Sequence, residues 1–296
     1  MILAVASGKG GTGKTTVAAS LAQVWRSPVL AVDLDVEEPN LHLFLRPEIT
    51  STSKAWLEVP RIVEGACTAC GACSELCQFK AISLLGEVLL TFPEMCHGCG
   101  GCLAVCPSGA LAADQRELGE ILWGRAEGIG FLSGRLRVGE AMSPPLMRQV
   151  RQALARMLAA GGGERDAIID APPGVSCPAV SAVMDADAIL LVTEPTPFGL
   201  HDLALAREAF MPLGKPLAAV INRAGLGDNR VQEFCRREGL PILAEIPFAR
   251  QAAEAYARGQ VLATVSEEYR RLLEALARDL RELARSDGAR ERVAHA

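Results

Sequence analysis

The sequence predicts an α/β protein: a doubly wound, mostly parallel sheet into which a small cysteine-rich α+β domain is inserted. Three observations predict it. Short apolar runs at 2–6, 29–32, 167–169, 188–193 and 217–221 are continuous rather than alternating, as strands buried on both faces are. A glycine-rich stretch at 7–16, SGKGGTGKTT, joins the first run to a helical pattern. Eight of the ten cysteines then fall between Cys67 and Cys106, within a segment of different composition. The body is assigned to residues 1–58 and 115–296, and the insert to 59–114.

Composition narrows the function classes. A chain of 296 residues, 50% apolar and 22% charged, is globular and long enough for a sizeable core. No stretch reaches the ~18 uninterrupted apolar residues of a membrane span. The first residues read as a strand entering a loop rather than as a secretion signal. A net charge of −5, with only five lysines, argues against bulk nucleic-acid binding. Cysteines grouped at metal-ligand spacing argue for reduced, cytoplasmic chemistry rather than disulfides.

The stretch 7–16 contains GxxxxGK(S/T) as Gly8, Lys9, Gly10, Gly11, Thr12, Gly13, Lys14 and Thr15, followed by Thr16. Glycines let successive N–H groups turn toward one anion. Lys14 is then placed to reach the β- and γ-phosphates, and the Thr15 hydroxyl to hold Mg²⁺. The helix expected over about 15–25 aims its positive end at the same phosphates. With Lys9 directly after the first glycine, the loop resembles the deviant phosphate loop of the MinD/ParA/Mrp ATPases, relatives of the nitrogenase iron protein. The resemblance implies that Lys9 crosses a dimer interface and that ATP lies between two subunits, identical or paralogous.

Pro28 ends the first helix, and the strand at 29–32 delivers Asp33, Leu34 and Asp35 to the carboxyl edge of the sheet, where doubly wound folds bind ligands. The resemblance implies that Asp35 orients the attacking water and that Asp33 lies near Mg²⁺. Residues 41–60 show no clear periodicity and read as an exit toward the insert. There, Cys67, Cys70, Cys73 and Cys77 form C-x2-C-x2-C-x3-C, and Cys96, Cys99, Cys102 and Cys106 repeat it. This is the spacing of a bacterial ferredoxin with two [4Fe–4S] clusters, in which the fourth cysteine of each run serves the other cube. One cluster takes Cys67, Cys70, Cys73 and Cys106, and the other Cys96, Cys99, Cys102 and Cys77. Structural zinc sites use C-x2-C pairs separated by longer gaps, which fits poorly. Pro107 follows Cys106, but Gln78 stands in the matching place after Cys77. His97, between two ligands, reads as a solvated loop residue.

Beyond the insert, 119–124 and 129–138 read as short strands. Ser143-Pro144-Pro145 opens a helix with Leu146, Met147, Val150, Leu154, Met157 and Leu158 on its apolar face, and Gly161-Gly162-Gly163 ends it. The strand at 167–169 ends in Asp170, the Walker B position, where a carboxylate holds water on Mg²⁺. Ala171-Pro172-Pro173-Gly174 resembles the family's second switch. Cys177, before Pro178, lies at a helix start and is a speculative redox residue. His201 reads as structural and Cys235 as a plain thiol. The resemblance further implies that Asn222 reads the adenine edge, with Arg223 beside it, and that the segment at Pro247 closes over the base. A final helix over about 266–285 carries an apolar stripe at Tyr269, Leu272, Leu273, Leu276, Leu280 and Leu283. Its balanced charges favour packing on the body over membrane binding.

Three functions follow as expectations. The first is an ATPase whose nucleotide state is coupled to electron transfer toward a redox partner. The second is an iron–sulfur carrier of the Mrp type, and the third a positioning or partitioning ATPase with redox-sensing clusters.

Overall fold

The first strand sorts the molecule into layers. In the computed structural model, which describes residues 1–160 and 165–294, β1 (Ile2–Ala6) turns Leu3 and Val5 to one face and Ala4 and Ala6 to the other. Successive strand side chains point to opposite sides, so a strand apolar throughout must be covered twice. After β1 come α1 (Lys14–Val24), β2 (Val29–Asp33), α2 (Leu41–Leu45) and β3 (Glu48–Ile62). The cysteine-rich segment holds α3 (Ala72–Leu76), β4 (Ile82–Leu85), β5 (Val88–Thr91) and α4 (Gly101–Ala104). The chain returns through β6 (Leu111–Ala126), β7 (Ile129–Leu136), α5 (Ser143–Ala160), β8 (Asp166–Asp170) and α6 (Cys177–Val183). It finishes with β9 (Ala188–Thr193), α7 (Pro197–Phe210), β10 (Leu217–Ala224), α8 (Arg230–Arg237), β11 (Ile242–Pro247), α9 (Arg250–Ala257) and α10 (Glu267–Ala294).

Nine strands form the main sheet in the order β11-β10-β9-β1-β8-β2-β7-β6-β3. From β11 to β7 every neighbour is parallel, and β6 and β3 are added antiparallel at one edge. Helices α1 and α10 cover the face of Leu3 and Val5, burying Val17, Leu21, Tyr269, Leu273, Leu276 and Leu280. Helices α5 to α8 cover the other, through Leu146, Val150, Ala179, Leu203 and Phe234. The stripe of the last helix therefore packs on the body. The expected stop of α5 at Gly161-Gly162-Gly163 lies outside the described residues.

Residues 41–60 differ from the sequence expectation. They form α2 and a fifteen-residue strand that pairs with β6 from Glu48 opposite Arg125 to Ile62 opposite Leu111. The first half of this strand is exposed, and burial alternates only from Ala55 through Leu57 and Val59. A ribbon wet on both faces has no apolar period to read. Likewise 119–124 is the middle of the sixteen-residue β6 rather than a short strand. The two strands run through positions 58 and 114 and carry the cysteine segment at their tip. The Val63 N–H donates to the Ala110 carbonyl at 2.9 Å and closes its base. The segment has a small core of its own, Cys73, Ile82, Leu89 and Leu111.

Candidate functional site

β1 ends at the phosphate loop, and close packing explains two of its glycines. A Cβ on Gly8 would lie 2.1 Å from the Asp202 carbonyl oxygen, and one on Gly13 would lie 2.2 Å from the Asn222 amide nitrogen. Gly13 also takes φ +91°, a left-handed turn that sets the direction of α1. Asn222 braces the loop by donating its amide to the Thr12 carbonyl at 2.8 Å, while its oxygen accepts the Arg223 N–H at 2.9 Å. Arg223 pairs with Glu194 at 2.9 Å and reaches the Gly11 carbonyl at 3.3 Å. The Ser7 hydroxyl donates to the Lys9 carbonyl at 2.7 Å.

Behind the loop lies a dense charge cluster. Lys14 and Asp170 are both buried and form an ion pair. β2 and β8 are in register, with Asp33 directly beside Asp170. Asp33 accepts the backbone N–H groups of Asp35 at 3.1 Å and Leu41 at 2.9 Å. Burial and then the Asp170 charge hold the Asp33 carboxyl well above the ordinary carboxylate range. Burial also pushes Asp35 up to about 6, with Lys14 opposing the shift and Asp170 adding to it. Three carboxyls surround one ammonium, and the second oxygen of Asp170 is buried without a partner. A cation with oxygen ligands fits that donor set.

In front of these groups is a cleft of about 1070 Å³ lined by Lys9, Gly10, Gly11, Gly13, Lys14, Thr15, Thr16, Asp35, Asn222, Arg223 and Pro247. Its far wall is aromatic, with Phe44, Phe248 and Tyr256. These aromatic residues carried no signal in the sequence, because each stands alone in its segment. Tyr269 donates its hydroxyl to the Pro247 carbonyl at 2.8 Å and ties that wall to α10. Lys9 lies against its own chain, with Nζ 3.7 Å from Asp202 and 5.7 Å from the centre of the Phe198 ring. Both partners belong to α7, a contact that no linear motif announces.

The ten cysteines are free thiols. Cys77, Cys96, Cys99 and Cys102 line one cavity of about 80 Å³, together with Gln78, Phe79, Ile82 and His97. Cys67, Cys77, Cys102 and Cys106 all pack on the small core that contains Cys73. The pKa shifts, by contrast, divide the thiols. Burial pushes Cys73 up, with Cys106 and Cys70 adding to it. Burial also raises Cys96, helped by Cys99 and Cys77, and it raises Cys102, helped by Cys96 and Cys99. Backbone N–H groups approach the sulfurs, Ala110 donating to Cys106 at 3.2 Å and Gly98 to Cys96 at 3.4 Å. The Ser108 hydroxyl, 3.7 Å away, draws the Cys106 thiol down. Among the described residues, no three His, Cys, Asp or Glu side chains converge as ligands of a single metal ion. His97 is exposed and stacks on Phe79, ring centres 3.5 Å apart. Cys177 is exposed at the start of α6, while Cys235 is buried in α8, its thiol pushed to about 11 by burial and Glu245. No described helix is long and apolar enough to cross a membrane.

A phosphate loop at the end of β1, inside the sheet, with acids at the ends of the two strands next in order on one side, defines a P-loop nucleotide-binding protein. The chain belongs to the CobQ/CobB/MinD/ParA nucleotide binding domain family, which matches residues 3–262. It is similar to the uncharacterized protein MJ0578 of Methanocaldococcus jannaschii, with 30% identity over 278 residues, 93% of this chain and 97% of that one. The cell division ATPase MinD of Pyrococcus furiosus shares the fold with a TM-score of 0.58 at 21% identity, covering 95% of this chain and 98% of that one. A shorter stretch is similar to a ferredoxin-like protein of the nif region of Sinorhizobium fredii. The identity there is 40% over 53 residues, 16% of this chain and 83% of that protein.

Proposed function

We propose that the protein binds and hydrolyses ATP in the cleft, and that its nucleotide state gates electron transfer through two [4Fe–4S] clusters in the insert. One observation carries the reading: Cys77, from the first cysteine run, lines the same cavity as Cys96, Cys99 and Cys102 from the second. That exchange of the fourth ligand is the pattern of a two-cluster ferredoxin. The four thiolates of a cube each meet a different iron, so they need not converge as the ligands of one ion do. The similarity to a ferredoxin-like protein supports the same assignment. The remaining set is Cys67, Cys70, Cys73 and Cys106.

On the nucleotide side, the loop N–H groups and Lys14 bind the phosphates and Asp35 orients the attacking water. Thr15, Asp33 and Asp170 would hold Mg²⁺, which supplies charge neutralisation at the phosphates. Asn222, Arg223 and Pro247 bound the base. Lys9 reaches the nucleotide of a second subunit, identical or paralogous, once it leaves Asp202. Coupling runs through the sheet. The carbonyl of Val36, next to Asp35, accepts the N–H of Leu136 at 2.9 Å, and β7 is bonded to the ribbon strand β6. A redox partner docks at the insert.

The test is anaerobic. Purified chain is expected to hold roughly eight irons and as much sulfide, as two cubes require. A non-hydrolysable ATP analogue is expected to shift a reduction potential or the reduction rate. Zinc in place of iron, or clusters indifferent to nucleotide, overturns the reading. Transfer of a labile cluster to an apo-protein would instead mark a carrier, and ATP-dependent binding to vesicles or DNA a positioning ATPase.

A further inference from the structure

Two cations are buried among the described residues: Lys14 in the cleft and Arg116, which the nucleotide chemistry does not use. Arg116 lies in β6 directly opposite Leu57 of β3. Directly opposed residues of an antiparallel pair project from the same face. Leu57 in turn lies against the loop between Cys96 and Cys99: a Cβ on Gly98 would be 2.4 Å from its Cδ1. Arg116 therefore stands on the ribbon face that carries the second cysteine set.

The guanidinium is held but not satisfied. Its Nη1 donates to Glu140, whose side chain is buried, while its Nε and Nη2 are buried without a partner. Arg137 approaches the same carboxylate at 3.6 Å, and the Met142 N–H donates to it at 3.0 Å. Two guanidiniums thus share one carboxylate, while a second carboxylate, Glu58, lines the apolar, cysteine-lined cavity itself. Buried N–H groups are normally paired, and these two are free to face a water or an anion. A cube with four thiolate ligands is an anion and gains a further negative charge on reduction.

The geometry points to Arg116, held in place by Glu140, as the residue that raises the reduction potential of the cluster at Cys77, Cys96, Cys99 and Cys102. This rests on the two-cluster reading above and adds to it an asymmetry between the clusters. A positive charge stabilises the reduced, more negative state over the oxidised one, and burial keeps solvent from screening it. Neutralising Arg116 lowers that potential. Neutralising Glu140 leaves two unopposed guanidiniums and raises it.

The experiment is an anaerobic redox titration of the full chain with dithionite as electron donor, followed by electron paramagnetic resonance, with iron counted in every sample. In Arg116→Gln one of two reduction waves is expected to move to lower potential. In Glu140→Gln the same wave is expected to move up. Arg116→Lys, which keeps the charge, stays nearer the parent, and the other wave does not move in any variant. Iron-replete variants with unmoved waves overturn the assignment, and so do Arg116→Gln and Glu140→Gln shifting in the same direction, because loosened packing has no sign of charge. Should Arg116→Gln lose its iron, the shift in Glu140→Gln decides alone. Absence of iron from the parent chain sinks the underlying reading instead.

Discussion

Lys14 and Cys96 are both buried beside a glycine in a left-handed turn, yet what surrounds them differs. Lys14 sits at the end of β1, among parallel strands that are covered on both faces. Its charge is answered by Asp170, and Asp33 is answered by two backbone N–H groups. Cys96 packs in the cluster that holds Leu57, Val59 and Ala81 and is continuous with the body, and the rest of its segment has a four-residue core, one member of which is itself a cysteine. Around that core, Leu76, Phe79, Leu85, Val88, Phe92 and Met95 are exposed. Burial raises the thiols of Cys73, Cys96 and Cys102 and so favours their neutral form. Thiolate ligation requires a cation to reverse that preference. The body is thus specified by its own packing, whereas on the proposed reading the insert, away from its seam with the body at Ala81 and Cys96, leans on the clusters its thiols would hold. Small units with little core depend on metals or disulfides in this way.

The sharpest test of that contrast is Lys14→Ala. ATP hydrolysis, followed by phosphate release, should fall by about 10²-fold or more, the scale for losing a preorganised charge contact to the transition state. Iron content of the insert should not change. A fall in both would mean that the two regions are one cooperative unit. The converse experiment strips iron with a chelator under reducing conditions. Limited proteolysis should then cut within 63–110 while the body keeps its thermal transition. An iron-free insert that stays as resistant as the loaded one would show that its small core suffices.

The same contrast decides what could be read from the chain. The phosphate loop, the acids after β2 and β8, and the cysteine runs are linear patterns whose chemistry lies in residue type and spacing. The buried strands were legible because burial on two faces demands unbroken apolar runs. The β3–β6 ribbon was not, since from Glu48 to Lys54 it is exposed and its serines and threonines carry no period. α7 begins at Pro197, with Thr196 capping it by accepting the Gly199 N–H at 3.0 Å. That threonine–proline pair is a readable start signal. Arg116 with Glu140, and Lys9 with Asp202, are pairings between distant segments. No local pattern specifies them, because they exist only once the sheet has formed.

Asp35 gives the smallest and most quantitative test, since it probes the body without touching the insert. Its carboxyl is pushed up to about 6, chiefly by burial, so in the free enzyme it gains a proton well above the ordinary carboxylate range. In the proposed role, the ionised form is the stronger acceptor and the one able to take a proton from the attacking water. The kcat/KM for ATP, which reports groups of the free enzyme, should therefore fall on the acid side with an apparent pKa of about 6. Below that point the loss is about tenfold per pH unit, as for any single required deprotonation. Stability moves the opposite way. The folded chain binds this proton more tightly than the unfolded chain, so Asp35 favours folding as pH falls through about 6 and opposes it above. Asp35→Asn should remove both the kinetic limb and this part of the pH dependence of unfolding. The limb should be unchanged when the insert is free of iron. A limb that moves with iron would mean that the cysteine cavity is felt at Asp35, and that the separation between the two regions is weaker than their packing implies.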